Sequence, residues 1–406
     1  MLAVGVFIAL AAIVVLGSWY ERQRVQTPEG GAKTRVLYVT NGADRGSGSL
    51  REALFLVAGA TSQTTISIEV PRITLETALP AFVNGHGVRL TAKASGTQID
   101  AQMLGGGPVL DIAGPDTSIE GITISHCPAA AVLVRAVHFR LSGTAIDGCD
   151  VGVEVAGNAS DTLLEHNRFT HNRIGVRFGA SGRNTVVASN EFSNDKDAGL
   201  WAVRSGPDSH DEVIGIHDNR FTQDRIGIVA GNIPVLIERN DFTNAQEADV
   251  HLVGAGAVVR GNRINGGGAM GIIAENARGA VIDDNELQGL SAYGVMVRGS
   301  SNTLVRANRL HNCGYGLAFV LGDPRSASTA VDNMIIEPKF NGIDVIGDSP
   351  ILRHNQVVRP HAYALHVEDF TPPSGPKVHS EPFLDHNNFG NSPISRASSA
   401  ARTGLR

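Results

Sequence analysis

An asparagine recurs through the middle of this chain in the pattern apolar-x-x-Asn-x-apolar, and no other feature limits the available folds as much. It stands at Asn167, Asn190, Asn219, Asn240, Asn262, Asn285, Asn308, Asn333 and Asn355, with spacings of 23, 29, 21, 22, 23, 23, 25 and 22, and a weaker copy at Asn387. A second register runs in step. Eight or nine residues after most of these Asn comes Gly plus an apolar residue, as at Gly175-Val176, Gly199-Leu200, Gly271-Ile272, Gly294-Val295 and Gly316-Leu317. Repeats of this length stack, because each unit can bury its apolar side only against the next.

Two architectures share a period near 22. Leucine-rich repeats need dense Leu at fixed positions, which this chain lacks. A parallel β-helix fits: each coil supplies about three short strands, stacked about 4.8 Å from the next coil. An Asn in an inward turn then stacks on its counterparts, its amide satisfying both them and the turn backbone. These Asn are therefore read as structural. The 47 Gly, 5 % aromatic and 18 % charged residues suit an all-β chain of short strands and tight turns. Upstream, strands are expected at 65–70, 87–91, 109–112, 118–124 and 131–134. A short helix is expected after Ser49, whose hydroxyl and Glu52 make a capping box. It would plug a coil end that is otherwise an open strand edge.

The ends differ from the middle. Residues 1–20 are uncharged and mostly apolar, close to the length that crosses a bilayer, and Trp19 and Tyr20 suit its interface. They are read as a transmembrane anchor, with a cleaved signal peptide as the competing reading. Arg22 and Arg24 follow the span, against the positive-inside rule for an exported domain; a cytoplasmic repeat domain is the alternative. Residues 21–35 read as a linker, 36–390 as one β-helix domain and 391–406 as a disordered tail. The expected location is membrane-anchored and extracytoplasmic, either periplasmic or cell-surface. A net charge of −6 argues against a nucleic-acid partner.

The stretch Tyr38-Val39-Thr40-Asn41 through Gly46-Ser47-Gly48-Ser49-Leu50-Arg51-Glu52-Ala53-Leu54 resembles the opening of pectate-lyase-like β-helices. Ile119-Glu120-Gly121-Ile122-Thr123-Ile124 resembles one of their coils. The resemblance implies an exported right-handed parallel β-helix over most of 36–390. It also implies a cell-envelope protein that binds a polysaccharide, with lyase, epimerase or hydrolase chemistry if it is an enzyme. A non-catalytic surface scaffold or adhesin-like protein is the alternative within the same superfamily. The superfamily's activity motifs do not match. Gly85-His86-Gly87 stands in an early coil without partner Asp residues, and Asp323-Pro324-Arg325-Ser326 lacks the His and second Asp of the epimerase motif. No catalytic residue is assigned.

Period-2 alternation points the residue after each Gly-apolar pair outward. That column reads Glu154, Arg177, Trp201, Val229, His251, Ile273, Met296, Ala318, Asp344 and His366. Glu154, Arg177 and Trp201 combine a carboxylate, a guanidinium and an indole, the groups a sugar groove uses; a mixed solvated face is the plain alternative. The long coil 190–219 adds Asp195, Asp197, Asp208, His210 and Asp211. With His251 these form the candidate ligand site, and carboxylates there would suit Ca²⁺. A second outward column, including Glu238, Arg260, Asp283 and Arg306, reads as a structural charge ladder. Cys127 and Cys149 lie one coil apart and share their register with Cys313. They either fill one buried slot or, for the first two, form a disulfide. Without CxxC or His-x-His pairs, no zinc site is expected.

Overall fold

The computed structural model describes residues 35–93, 96–156, 158–179, 182–204, 213–323 and 326–397. The apolar segment 1–20, nearly all of the linker, and Asp208, His210 and Asp211 lie outside the described residues. Among the described residues no helix is long and apolar enough to cross a membrane. The chain divides into two compact units, the first made mainly of residues up to Arg220 and the second mainly of residues from Phe221.

In the first unit each coil contributes one strand to each of three parallel sheets. A representative coil is Leu163–Glu165, Arg168–Thr170 and Ile174–Phe178. Its central residues pair in register with the next coil: Leu164 with Val187, Phe169 with Phe192, and Val176 with Leu200. Alternation within such short strands turns these residues inward, and all are fully buried. The coil spacing brings the rings of Phe169 and Phe192 to 4.8 Å, stacked.

The corner between the first and second sheets explains the repeated Asn. The residue before it takes a left-handed φ, 55° at His166 and 56° at Ser189, which swings the chain between sheets. The Asn then points inward. Asn190 Oδ1 accepts from the backbone N–H and the Nδ2 of Asn167 at 2.9 and 3.0 Å, while Asn167 Nδ2 donates to Leu141 O at 2.9 Å. Every donor exposed by the corner is thus satisfied by the neighbouring coil.

The unit opens on the helix Leu50–Ala58. Ser49 Oγ accepts from the N–H of Glu52 at 3.3 Å, and the Glu52 carboxylate accepts from Gly48 N–H at 2.6 Å. Leu50, Ala53, Leu54 and Val57 are buried against the strands Arg35–Val39 and Thr64–Ile68. Asp44 ties this helix to the first coil through Arg51 Nη2 at 2.7 Å and Thr77 Oγ1 at 2.8 Å. Burial pushes the Asp44 carboxyl up, but the hydrogen bonds from Thr77 and Arg51 outweigh it and hold the pKa at about 2. The expected strand 118–124 is two strands, Ser118–Glu120 and Thr123–Ser125, bent at Gly121 with φ 72°. Cys127 and Cys149 form a disulfide between adjacent coils, with Cα atoms 4.3 Å apart.

The second unit repeats the plan, for example in Leu304–Arg306, Arg309–His311 and Tyr315–Val320. Its own ladder runs from Asn240 through Asn262, Asn285, Asn308, Asn333 and Asn355 to Asn387, with Nδ2-to-Oδ1 steps of 2.9 to 3.0 Å. Glu238 pairs with Arg260 and Asp283 with Arg306, each at 2.6 Å, as the expected charge ladder. Cys313 is buried and free, and burial pushes its thiol up to about 11. The tail expected from residue 391 needs correction. Ile394–Ala397 is a strand paired in parallel with Leu365–Glu368. The polar sequence hides it, because an edge strand offers its N–H and C=O groups regardless of side-chain pattern.

Candidate functional site

The first unit places Glu154, Arg177 and Trp201 side by side on successive strands, in the expected register. Glu154 Oε2 meets Arg177 Nη2 at 2.9 Å, with both side chains about one-third exposed, and Trp201 is half-buried. Asp197 is engaged below them: Arg173 bridges it at 3.0 Å to Asp150 at 2.6 Å. These contacts hold the Arg173 guanidinium above its ordinary range, the Asp150 hydrogen bond first and the Asp197 bond second.

Asp195 does not reach this surface. It is fully buried, and its Oδ1 accepts from the backbone N–H of Asn172 at 2.8 Å. Asn172 Oδ1 in turn accepts from Cys149 N–H at 3.0 Å. Cys149, Asn172 and Asp195 are spaced by 23 and 23 residues and form a second inward turn column. The turn N–H groups need a buried acceptor, and Asp195 supplies one. His251 lies in the second unit, where its Nε2 is 3.3 Å from Glu275, itself 3.7 Å from Arg298.

A denser arrangement stands on the third sheet of the second unit. Tyr293 and Tyr315 stack with centroids 4.9 Å apart, and Tyr315 and Phe340 stack at 5.0 Å. Tyr363 follows, its ring 6.0 Å from that of His366. The parallel strands Tyr293–Arg298, Tyr315–Val320, Ile343–Ile346 and Leu365–Glu368 set this spacing. Tyr293, Tyr315 and Phe340 each precede a glycine slot where the chains crowd: a Cβ on Gly294 would lie 2.3 Å from Leu310 and 2.9 Å from the carbonyl of Gly316. That slot directs the chain inward and leaves the preceding aromatic outside. Phe340 is 48 % and Tyr363 38 % exposed.

Beside the rings runs the column Met296, Ala318, Asp344 and His366, paired strand to strand; alternation points it outward, but its middle members Ala318 and Asp344 are buried. Asp344 is only 3 % exposed. Its Oδ1 accepts from Asn341 Nδ2 at 2.7 Å and lies 3.3 Å from His366 Nδ1. Burial pushes the Tyr293 phenol up, and the charge of Asp344 and the neighbouring Tyr315 add to the shift. The result is an aromatic strip bordered by a carboxylate, an amide and an imidazole. The sequence signal was present, as an aromatic one or two residues before the slot in four successive coils. Because the residue type varies, no single-residue repeat marks it. Among the described residues a concave surface runs along the Asn corner between Arg239, Asp241, Arg263, Glu286 and Arg309, and its walls are ion-paired, as Arg263 to Glu286 at 3.5 Å.

Residues 207–358 match the family model described as the right-handed beta helix region. The chain is a right-handed parallel β-helix protein. Residues 83–254 of this β-helix protein also match the model of the periplasmic copper-binding protein NosD. Within that segment, among the described residues, no three His, Cys, Asp or Glu side chains converge closely enough to share an ion. No curated protein matches the β-helix protein. Among solved structures it is similar to the catalytic unit of a GH87 α-1,3-glucanase from Streptomyces thermodiastaticus, with 14 % identity, a TM-score of 0.56, and coverage of 90 % of this chain and 71 % of that one. It is also similar to the tailspike of E. coli bacteriophage HK620 in complex with a hexasaccharide, with 12 % identity, a TM-score of 0.57, and coverage of 90 % and 84 %. A PL6 alginate lyase complexed with a trisaccharide gives 11 % identity, a TM-score of 0.51, and coverage of 89 % of each chain. At these identities the likeness is one of fold.

Proposed function

We propose that this β-helix protein binds an extended polysaccharide along the aromatic strip of its second unit. The observation that carries the reading is the stack Tyr293–Tyr315–Phe340, repeated at the coil spacing on an outward face. Tyr315 is sandwiched between Tyr293 and Phe340, so a sugar meets the ladder along its outward ring edges, where pyranose C–H groups find apolar contact and the hydroxyls reach the polar groups alongside. Asp344, Asn341 and His366 supply those groups. A solenoid face and a polysaccharide are both quasi-linear, so several sugars meet successive coils. Trp201 beside Arg177 is proposed as a second stacking position on the first unit. The oligosaccharides held by the tailspike and the alginate lyase support this substrate class.

An extracytoplasmic location goes with this reading, with residues 1–20 as the proposed anchor. The periplasmic description of the family matched at 83–254 and the Cys127–Cys149 disulfide support it. The second reading is a non-catalytic scaffold, favoured by ion-pair ladders such as Glu238–Arg260 and Asp283–Arg306. A glycan array with the purified chain separates the two, since a scaffold retains no glycan. Product analysis of any glycan retained then decides whether bonds are altered.

A further inference from the structure

We propose that His354, Asp385 and His386 bind one divalent transition-metal ion of the Zn²⁺ class. The proposal stands apart from the polysaccharide reading and rests on a different corner of the second unit. His354 and His386 occupy the same position on neighbouring coils, directly before Asn355 and Asn387 of the buried ladder. That ladder fixes them relative to each other: Asn355 N–H donates to Asn387 Oδ1 at 2.9 Å, and His354 N–H donates to the carbonyl of Asp385 at 3.0 Å. Both His have φ of 50°, a left-handed conformation that favours Gly, Asn or Asp. Other coils of this unit fill the position with Gly261, Asp284, Ala307 and Asp332, so the corner itself does not call for imidazole.

The two rings lie with centroids 5.5 Å apart, and Asp385 contacts His386 Nδ1. One nitrogen from each ring and one carboxylate oxygen lie within 4.8 Å of one another. The His354 and His386 side chains are 54 % and 79 % exposed, so they can rotate to close around an ion without disturbing the core. Zn²⁺ needs donors at about 2.0–2.2 Å, and two imidazoles with a carboxylate suit it. They suit Ca²⁺ and Mg²⁺ poorly, since those ions prefer all-oxygen shells. Asp332 Oδ1, 3.7 Å from His354 Nδ1, is placed to orient that ring as an outer carboxylate. Arg353, 3.7 Å from Asp385, is the group an ion would have to displace. The site lies outside the segment matched to NosD. It escapes a spacing-based search because 32 residues of chain, one long coil, separate the two His.

The test is isothermal titration of the tag-free full chain with Zn²⁺, alone and in excess Ca²⁺. One ion per chain is expected, undiminished by Ca²⁺. His386→Ala and Asp385→Asn should each weaken binding about tenfold or more, and the double variant H354A/H386A should abolish it. Far-UV circular dichroism of each variant should match the parent, since all three side chains lie outside the core. Failure of the parent chain to bind Zn²⁺ would overturn the proposal. So would binding that the folded double variant retains, or binding that Ca²⁺ displaces. Glycan retention does not enter this readout, so the two proposals fail separately.

Discussion

Asp344 Oδ1 lies 3.3 Å from His366 Nδ1 across one coil step, while Asn341 Nδ2 donates to the same oxygen at 2.7 Å. This nearly buried carboxylate orients an imidazole and an amide at the border of the aromatic strip. Its charge also reaches Tyr293. Asp344→Asn should therefore bring the Tyr293 phenol down toward its ordinary range. An ultraviolet pH titration reads this as one tyrosine ionising at lower pH than in the parent. Superimposable titration curves would place the Asp344 charge too far from the strip to act on a ligand there.

The Asn ladder predicts a large cost for a small change. Asn285 Oδ1 accepts from both the backbone N–H and the Nδ2 of Asn262, and its Nδ2 donates to Val259 O. Asn285→Ala strands buried donors and an acceptor, each worth about 1–3 kcal/mol when left unsatisfied. Urea denaturation should show a loss of about 3 kcal/mol or more. A loss below about 1 kcal/mol would mean that water replaces the ladder.

The ladder was legible in the sequence because one solution recurs. A left-handed corner needs a buried amide after it, and Asn supplies one at nearly constant spacing. The aromatic strip was not legible, because Tyr293, Tyr315, Phe340 and Tyr363 solve a surface problem with different residues at slightly different offsets. A lone Trp201 stood out more than four varied rings did. Asp195 was misplaced for a related reason. Its coil carries an insertion, so its acidic residues read as a binding loop, although Asp195 keeps the 23-residue phase of Cys149 and Asn172. The outward column follows from alternation only in part: Glu154, Arg177, Trp201, His251, Met296 and His366 keep some exposure, whereas Val229, Ile273, Ala318 and Asp344 are buried.

One departure from glycine at the crowded slot predicts a stabilising substitution. The crowded position held by Gly227, Gly271, Gly294, Gly316 and Gly342 is held by Asp249 in its coil. Asp249 is fully buried, and among the described residues neither carboxylate oxygen has a hydrogen-bond partner. Burial first, and the charge of Asp224 second, push its pKa well above the ordinary value. Asp249→Gly should raise the melting temperature at neutral pH, because removing an unsatisfied buried carboxyl outweighs a glycine penalty of about 1 kcal/mol. A lower melting temperature would show that this carboxyl has a stabilising partner.

Asp348 gives the pH dependence a sign. Burial raises its pKa from 3.8 to about 6, against opposing hydrogen bonds from the N–H groups of Ser349 and Gly322. Between those values the folded chain keeps a proton that the unfolded chain has released. The unfolding free energy from this group therefore falls as pH rises from near 4 to near 6, by about 3 kcal/mol, and is flat above. Chemical denaturation of Asp348→Asn across that range should lose this slope relative to the parent. An unchanged slope would assign it to other groups.

The central claim is that the strip Tyr293–Tyr315–Phe340 holds a polysaccharide. Its most direct test is calorimetric titration of the best-retained array glycan into the parent chain and into the double variant Y315A/F340A, with thermal unfolding of both. Losing two rings of the apolar strip should weaken binding about tenfold or more, while Trp201→Ala produces a smaller loss and the variant's fold survives. Equal affinity in parent and double variant, or no glycan bound by the parent, would contradict the account.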